Sequence, residues 1–154
     1  MRSDSGMPRE VAELLEHWQA TGIPLNVGAS AEQIAAVEQQ CGMRIPDVLR
    51  SLYQAANGMA HEESDLQFFS FWPVEQLVSE ATAWRVPAGE SVLLFGDFLM
   101  ASHAYAVRCA GLEAGSVHIF AGDRFEKVAD SLNDFFAAVV GDASRVGLLG
   151  GDPV

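Results

Sequence analysis

Arg44-Ile-Pro-Asp-Val-Leu-Arg-Ser-Leu-Tyr-Gln-Ala-Ala-Asn-Gly58 spells out one helix together with both of its ends. Pro46 suits the first helical turn, where its missing N–H would have had no partner anyway, and Asp47 sets negative charge near the positive end of the helix dipole. Leu49, Leu52, Tyr53 and Ala56 recur at i, i+3, i+4 and i+7, which predicts a single buried face. Asn57-Gly58 tolerates positive φ, so the helix is expected to stop there.

Working outward, Ser30-Ala-Glu-Gln33 opens an earlier helix with a capping-box pattern; Ile34, Val37 and Cys41 line one face of it, and Gly42 can close it. Towards the other end, Val128-Ala-Asp-Ser-Leu-Asn-Asp-Phe-Phe136 reads as the end of a strand, a Ser131 cap with Asp134 three residues on, and a helix burying Leu132, Phe135, Phe136 and Val139.

From about Ser30 to Gly141 this pattern resembles the SUKH superfamily, the Smi/Knr-like group that includes many bacterial toxin-immunity proteins and fungal cell-wall regulators. The resemblance rests on Glu38 and Gly42 before Ile45-Pro46, on Leu49 and Tyr53 leading to Asn57-Gly58, on Phe95-Gly96-Asp97, on Gly115-Ser-Val-His118, and on Ala129-Asp130-Ser131 followed by Phe135. Val48 stands where the family often has an aromatic, and Leu132 where it commonly has Phe. Both keep an apolar side chain.

A chain of 154 residues fits one domain, and at that size roughly two-thirds of the unfolded surface can be buried without a disulfide or metal staple. The hydrophobic fraction of 49% and charged fraction of 19% argue for a compact soluble protein. No apolar run approaches the ~20 residues of a membrane span. The start lacks the continuous apolar segment of a signal peptide, so a cytoplasmic location is expected. Cys41 and Cys109 fit apolar patterns and are expected to be reduced thiols.

The formal charge is −12, from 21 acidic and 9 basic residues, and Lys127 is the sole lysine. Phosphate would be repelled, which disfavours direct binding to nucleic acid or anionic lipid, whereas encounter with a basic protein would be accelerated. Acidity of this kind also serves solubility.

Residues 1–8 read as a polar lead. Val11, Leu14, Leu15 and Trp18 predict a first helix, and Thr21 to Gly28 a break before the Ser30 cap. After Asn57-Gly58 comes a polar loop from Met59 to Asp65, then a strand over Leu66–Trp72, a short helix from Pro73 to about Glu80, and a loop from Thr82 to Glu90. Strands are expected over 91–96, 101–109, 116–121 and 125–128, with Gly111, Gly115 and Gly122-Asp123 as turns. A final helix runs from about Leu132 to Val140, and residues 142–154 form a Gly-rich tail. Helices first, then an antiparallel meander, then a closing helix predict a single α+β domain over 9–141 with N-terminal helices packed on a mostly antiparallel sheet. The resemblance implies the same arrangement.

Candidate chemistry is thin. His61-Glu-Glu-Ser-Asp65 could hold a divalent cation only without any recognised ligand spacing, so a solvated acidic loop is the better reading. His103 and His118 fall on neighbouring strands and could approach each other or Asp97, but alternation gives each a half-buried place in the sheet. Ser131 sits at a strand-to-helix turn, where capping explains it, and no Gly-x-Ser-x-Gly elbow or phosphate loop is present. No catalytic residue, cofactor or metal is therefore expected. Phe68, Phe69, Phe71 and Trp72 are expected in the core, and Trp84, inside a loop, is a candidate anchor for a partner.

The resemblance implies an immunity protein that neutralises a cognate toxin, and the charge independently fits a toxin with a basic surface. Loop placement and charge single out Glu62, Glu63, Asp65, Trp84, Asp97, Asp123 and Glu126 as the binding residues, while Pro46, Asn57, Gly58 and Ser131 read as structural. The alternatives are a regulatory protein-interaction scaffold of the same superfamily and a small-molecule-binding domain with a cleft between helices and sheet.

Overall fold

A computed structural model describes residues 7–60, 64–65, 69–84, 91–98, 103–121 and 124–146. The chain runs α1 (Arg9–Ala20), β1 (Leu25–Val27), α2 (Ala31–Cys41), α3 (Asp47–Ala55), β2 (Ala56–Met59), β3 (Phe69–Phe71), α4 (Gln76–Ala83), β4 (Val92–Phe98), β5 (His103–Arg108), β6 (Val117–Ala121), β7 (Arg124–Ala129) and α5 (Leu132–Gly141), and closes with a 3-10 turn over Ala143–Val146. This is the expected α+β arrangement.

The helix caps follow the sequence closely. Ser30 Oγ accepts from Gln33 N while the Gln33 side chain accepts from Ser30 N, a complete capping box, and α2 ends at Gly42 in the left-handed region. Ser131 Oγ accepts from Asp134 N at 3.0 Å and starts α5. Val11, Leu14 and Trp18 form the buried stripe of α1, and Leu49, Leu52 and Tyr53 that of α3.

The end of α3 differs from expectation. Ala56 is already extended and the chain passes straight into β2, which pairs antiparallel with β1, so Asn57-Gly58 is not a helix stop. Asn57 instead serves as a buried bracket: its Oδ1 accepts from Val74 N at 2.7 Å, its amide donates to the Glu75 carboxylate at 3.1 Å, and its carbonyl accepts from Asn26 Nδ2 at 2.9 Å. Gly58 has φ +81°, and a Cβ there would lie 2.3 Å from Pro73 N. Both backbone sign and space therefore demand glycine, to bring β2 against the Trp72-Pro73 segment.

The main sheet is antiparallel in the order β3-β4-β5-β6-β7. Cross-strand partners share a face, so Ser70, Asp97, Ala104, Phe120 and Phe125 form a row on one side, while Phe71, Gly96, Tyr105, Ile119 and Glu126 form a row on the other. On the second side Phe135 of α5 meets Tyr105 at 4.9 Å and Phe69 and Phe95 at 5.7 Å each, and Trp18 of α1 stacks on Phe71 at 5.7 Å. The core is thus an aromatic cluster sealed under α1, α3 and α5. On the first side Trp84, just beyond α4, packs edge-on against Phe120 at 6.3 Å.

Other departures are local. The helix expected from Pro73 begins at Gln76, because Pro73 first closes a turn in which its carbonyl accepts from Gln76 N at 2.9 Å. The expected tail is shortened: Val146 is fully buried and its carbonyl accepts from Tyr105 Oη at 2.6 Å, which pins the 3-10 turn to the sheet. Residues 147–154 lie outside the described residues, as do 1–6 of the N-terminal lead. Pro8, also assigned to the lead, accepts from Val11 N and Ala12 N and so caps α1.

Candidate interaction surface

Of the seven side chains singled out from the sequence, the four that fall among the described residues do not form one patch. Glu62, Glu63 and Asp123 lie outside the described residues. Asp65 is a correction: at 4% exposure it is an interior carboxylate, accepting from Trp18 Nε1 and from Phe69 N, each at 3.0 Å, and it offers nothing to a partner. Asp97 and Glu126 stand on opposite faces of the sheet. Asp97 is half-buried and accepts from Trp72 Nε1 at 2.6 Å, whereas Glu126 is exposed on β7. Trp84 is half-buried, held by Glu80 Oε1 at 3.1 Å and by Phe120, so part of its ring remains at the surface in a fixed orientation.

The candidate catalytic groups are placed apart as well. His118 lies opposite Ala106, and His103 is three residues from Ala106 on β5, so the two imidazoles project to different faces. His103 stacks on Phe98 at 4.8 Å and its Nε2 lies 3.3 Å from Tyr105 Oη, which already donates to Val146; His103 is therefore the donor in that contact. His118 is more buried than alternation suggested, at 5%, stacked flat on Phe125 at 4.6 Å with Ser116 Oγ 3.0 Å from its Nε2. Among the described residues no group of three or more His, Cys, Asp or Glu side chains is placed to hold a metal ion. Cys41 and Cys109 are free and half-buried, and burial pushes the Cys109 thiol up to about 12.

An acidic end does assemble, from residues the sequence reading passed over. Lys127 Nζ lies 3.0 Å from Asp130 and 3.8 Å from Glu113, which ties the β5–β6 hairpin to the junction of β7 and α5. These carboxylates raise the Lys127 pKa, the Asp130 hydrogen bond most. Asn133 donates to Glu10 at 2.9 Å, bringing the first turn of α1 beside the first turn of α5, and this amide is the main reason that Glu10 titrates below its ordinary value. Glu13, Glu113, Asp130 and Asp134 are exposed around these contacts, and the described cations there include Arg9, Lys127 and Arg145, which donates to the Asp134 carbonyl at 3.4 Å. At the hairpin tip Leu112 is fully exposed. The sequence signal was the Gly111-Leu-Glu-Ala-Gly115 turn, but nothing in it says that β7 would deliver Lys127 to Glu113.

The remaining motif side chains are spent on architecture. Glu38 accepts from Ile45 N at 2.7 Å and pairs with Arg50, locking α2 to α3, while Asn57 and Ser131 act as described above. A helical layer on an antiparallel sheet, braced by such brackets and without a convergent set of reactive groups among the described residues, defines a small α+β module. Residues 28–138 match the model of the SMI1 / KNR4 family (SUKH-1), and the chain belongs to that family. No curated protein matches this sequence. Among the described residues no helix is long and apolar enough to cross a membrane.

Proposed function

We propose that this protein is an immunity protein, which binds a cognate toxin domain and blocks its active site without turning over a substrate. The observation that carries the reading is the charge: −12 over 154 residues, within a family whose motif side chains here are consumed by caps and brackets. A field of that sign speeds encounter with a basic target, and a nuclease, whose phosphate-binding cleft is basic, is the toxin class it fits. Binding in the cytoplasm, where such a toxin would act on its producer, accords with the free thiols.

The test is rescue. A toxin gene is expected beside this one; its product, expressed alone, should kill the host cell, and co-expression of this chain should restore growth. Growth no better than with empty vector would remove the reading, and capture of several unrelated host proteins in place of one toxin would favour a regulatory scaffold.

A further inference from the structure

Leu112 is the most exposed large hydrophobic side chain among the described residues, at 107% of its reference area. It therefore contributes nothing to the core of its own domain. Single exposed leucines on surfaces are ordinary, but this one stands on a turn whose backbone is specified. Arg108 N donates to Ser116 O at 2.9 Å and Gly115 N to Arg108 O at 2.7 Å, closing the hairpin. Ala114 N donates to Gly111 O at 3.2 Å and Ser116 N to Glu113 O at 3.0 Å, so two overlapping turns carry the tip. Gly111 and Gly115 have φ +93° and +94° with open space around them, so dihedral sign alone fixes glycine at both ends. Glu113, next to Leu112, lies 3.8 Å from Lys127 of the adjoining strand β7.

We propose that the β5–β6 hairpin tip is the anchor of the toxin interface, with Leu112 entering an apolar pocket on a basic partner while Glu113 and Asp130 supply the surrounding charge. This rests on the immunity reading above. Charge selects the occupant: a second copy of a chain carrying −12 would bring like carboxylates together around the leucine, whereas a basic surface meets them favourably. The ordered turn also fixes the backbone beneath Leu112 before binding, so little backbone entropy is lost on docking. An apolar anchor ringed by polar side chains is the anatomy in which truncation of a single residue is felt most.

The experiment measures binding of the full chain to the purified catalytic domain of the toxin encoded beside it, for wild type, Leu112→Ser and Leu112→Met. Leu112→Ser is expected to weaken Kd by ~10- to 100-fold, through faster dissociation with the association rate within about twofold of wild type, and Leu112→Met to stay within about threefold. The melting temperature should be the same for all three, since the side chain packs on nothing. If wild type binds and Leu112→Ser binds equally well, the hairpin is not the anchor, while the immunity function stands. If wild type neither binds nor protects, the function reading falls and takes the anchor with it. Concentration-dependent dimerisation of wild type that Leu112→Ser abolishes would overturn the proposal in favour of self-association.

Discussion

Trp18 and Asp65, 47 residues apart, are joined by a 3.0 Å hydrogen bond in which the indole N–H donates to Oδ2, inside the protein. The other carboxylate oxygen accepts from Phe69 N at 3.0 Å, and Asp65 N donates to Phe69 O at 2.8 Å. One acidic side chain thus connects the first helix to the first strand of the main sheet, and Trp18 completes the link by stacking on Phe71. A buried polar group is costly unless satisfied, so the bracket stabilises this arrangement mainly by penalising its disruption.

Breaking that bracket gives the first prediction. Trp18→Phe keeps an aromatic ring but removes one donor, and should lower stability by about 1–3 kcal/mol. Asp65→Ala leaves both the indole and the Phe69 amide without an acceptor and should cost more. Urea denaturation checks both; an unchanged midpoint for Asp65→Ala would show that the carboxylate is not part of the interior.

Gly58→Ala should be as damaging as a core truncation. The new Cβ would meet backbone at 2.3 Å from Pro73 N, and φ +81° is unfavourable for any L side chain, so neither strain can be relieved by rotating a side chain. A loss of at least ~1–3 kcal/mol is expected in thermal unfolding. Stability within error of wild type would contradict the close approach of β2 to Pro73.

The thiol of Cys109 supplies a pH prediction. Its ordinary value is 9.0 and burial raises it to about 12 in the folded chain. Between those values the unfolded state has released a proton that the folded state keeps, so the associated stability is present below pH 9 and is lost as pH rises towards 12. The native protein should also react slowly with an alkylating agent at pH 8, and denaturant should speed modification of Cys109 severalfold. Equal rates in the native and unfolded states would rule out a buried thiol here.

At the acidic end, Asn133→Ala should raise the Glu10 pKa towards its ordinary value, because the Asn133 amide is the largest cause of its depression. The sign runs opposite to that of Cys109: stability from this contact is present above the unfolded value of 4.5 and fades as pH falls through the lower folded one. Carboxylate titration by NMR in the two proteins measures the shift directly. A Glu10 titration identical in both would show that α1 and α5 do not meet through this pair.

Much of the fold was legible because its signals are local. The Ser30–Gln33 box, Gly42, the Leu49, Leu52 and Tyr53 stripe of α3 and the Ser131 cap depend on neighbours within one helical turn, and each appears in the structure where sequence placed it, whereas Ala56, expected on the same stripe, is extended and opens β2. Asn57-Gly58 was misread as a helix stop because the turn chemistry of Asn-Gly is the same whether a helix or a strand precedes it; only the contact with Pro73 and Val74 distinguishes the two. Asp65 was taken for a loop acid because its partners, Trp18 and Phe69, are assembled by the tertiary fold and leave no periodic trace. The candidate surface was hidden for the same reason, since cross-strand register alone sets Lys127 beside the hairpin that carries Glu113.

The central claim is that this chain acts by occupying another protein. Titrating it into a fixed amount of the purified catalytic domain of the neighbouring toxin, while following that domain's activity on its substrate, tests this most directly. Inhibition should be complete at one chain per toxin, with an association rate that falls steeply as salt is raised. Full toxin activity in the presence of excess chain would contradict the account.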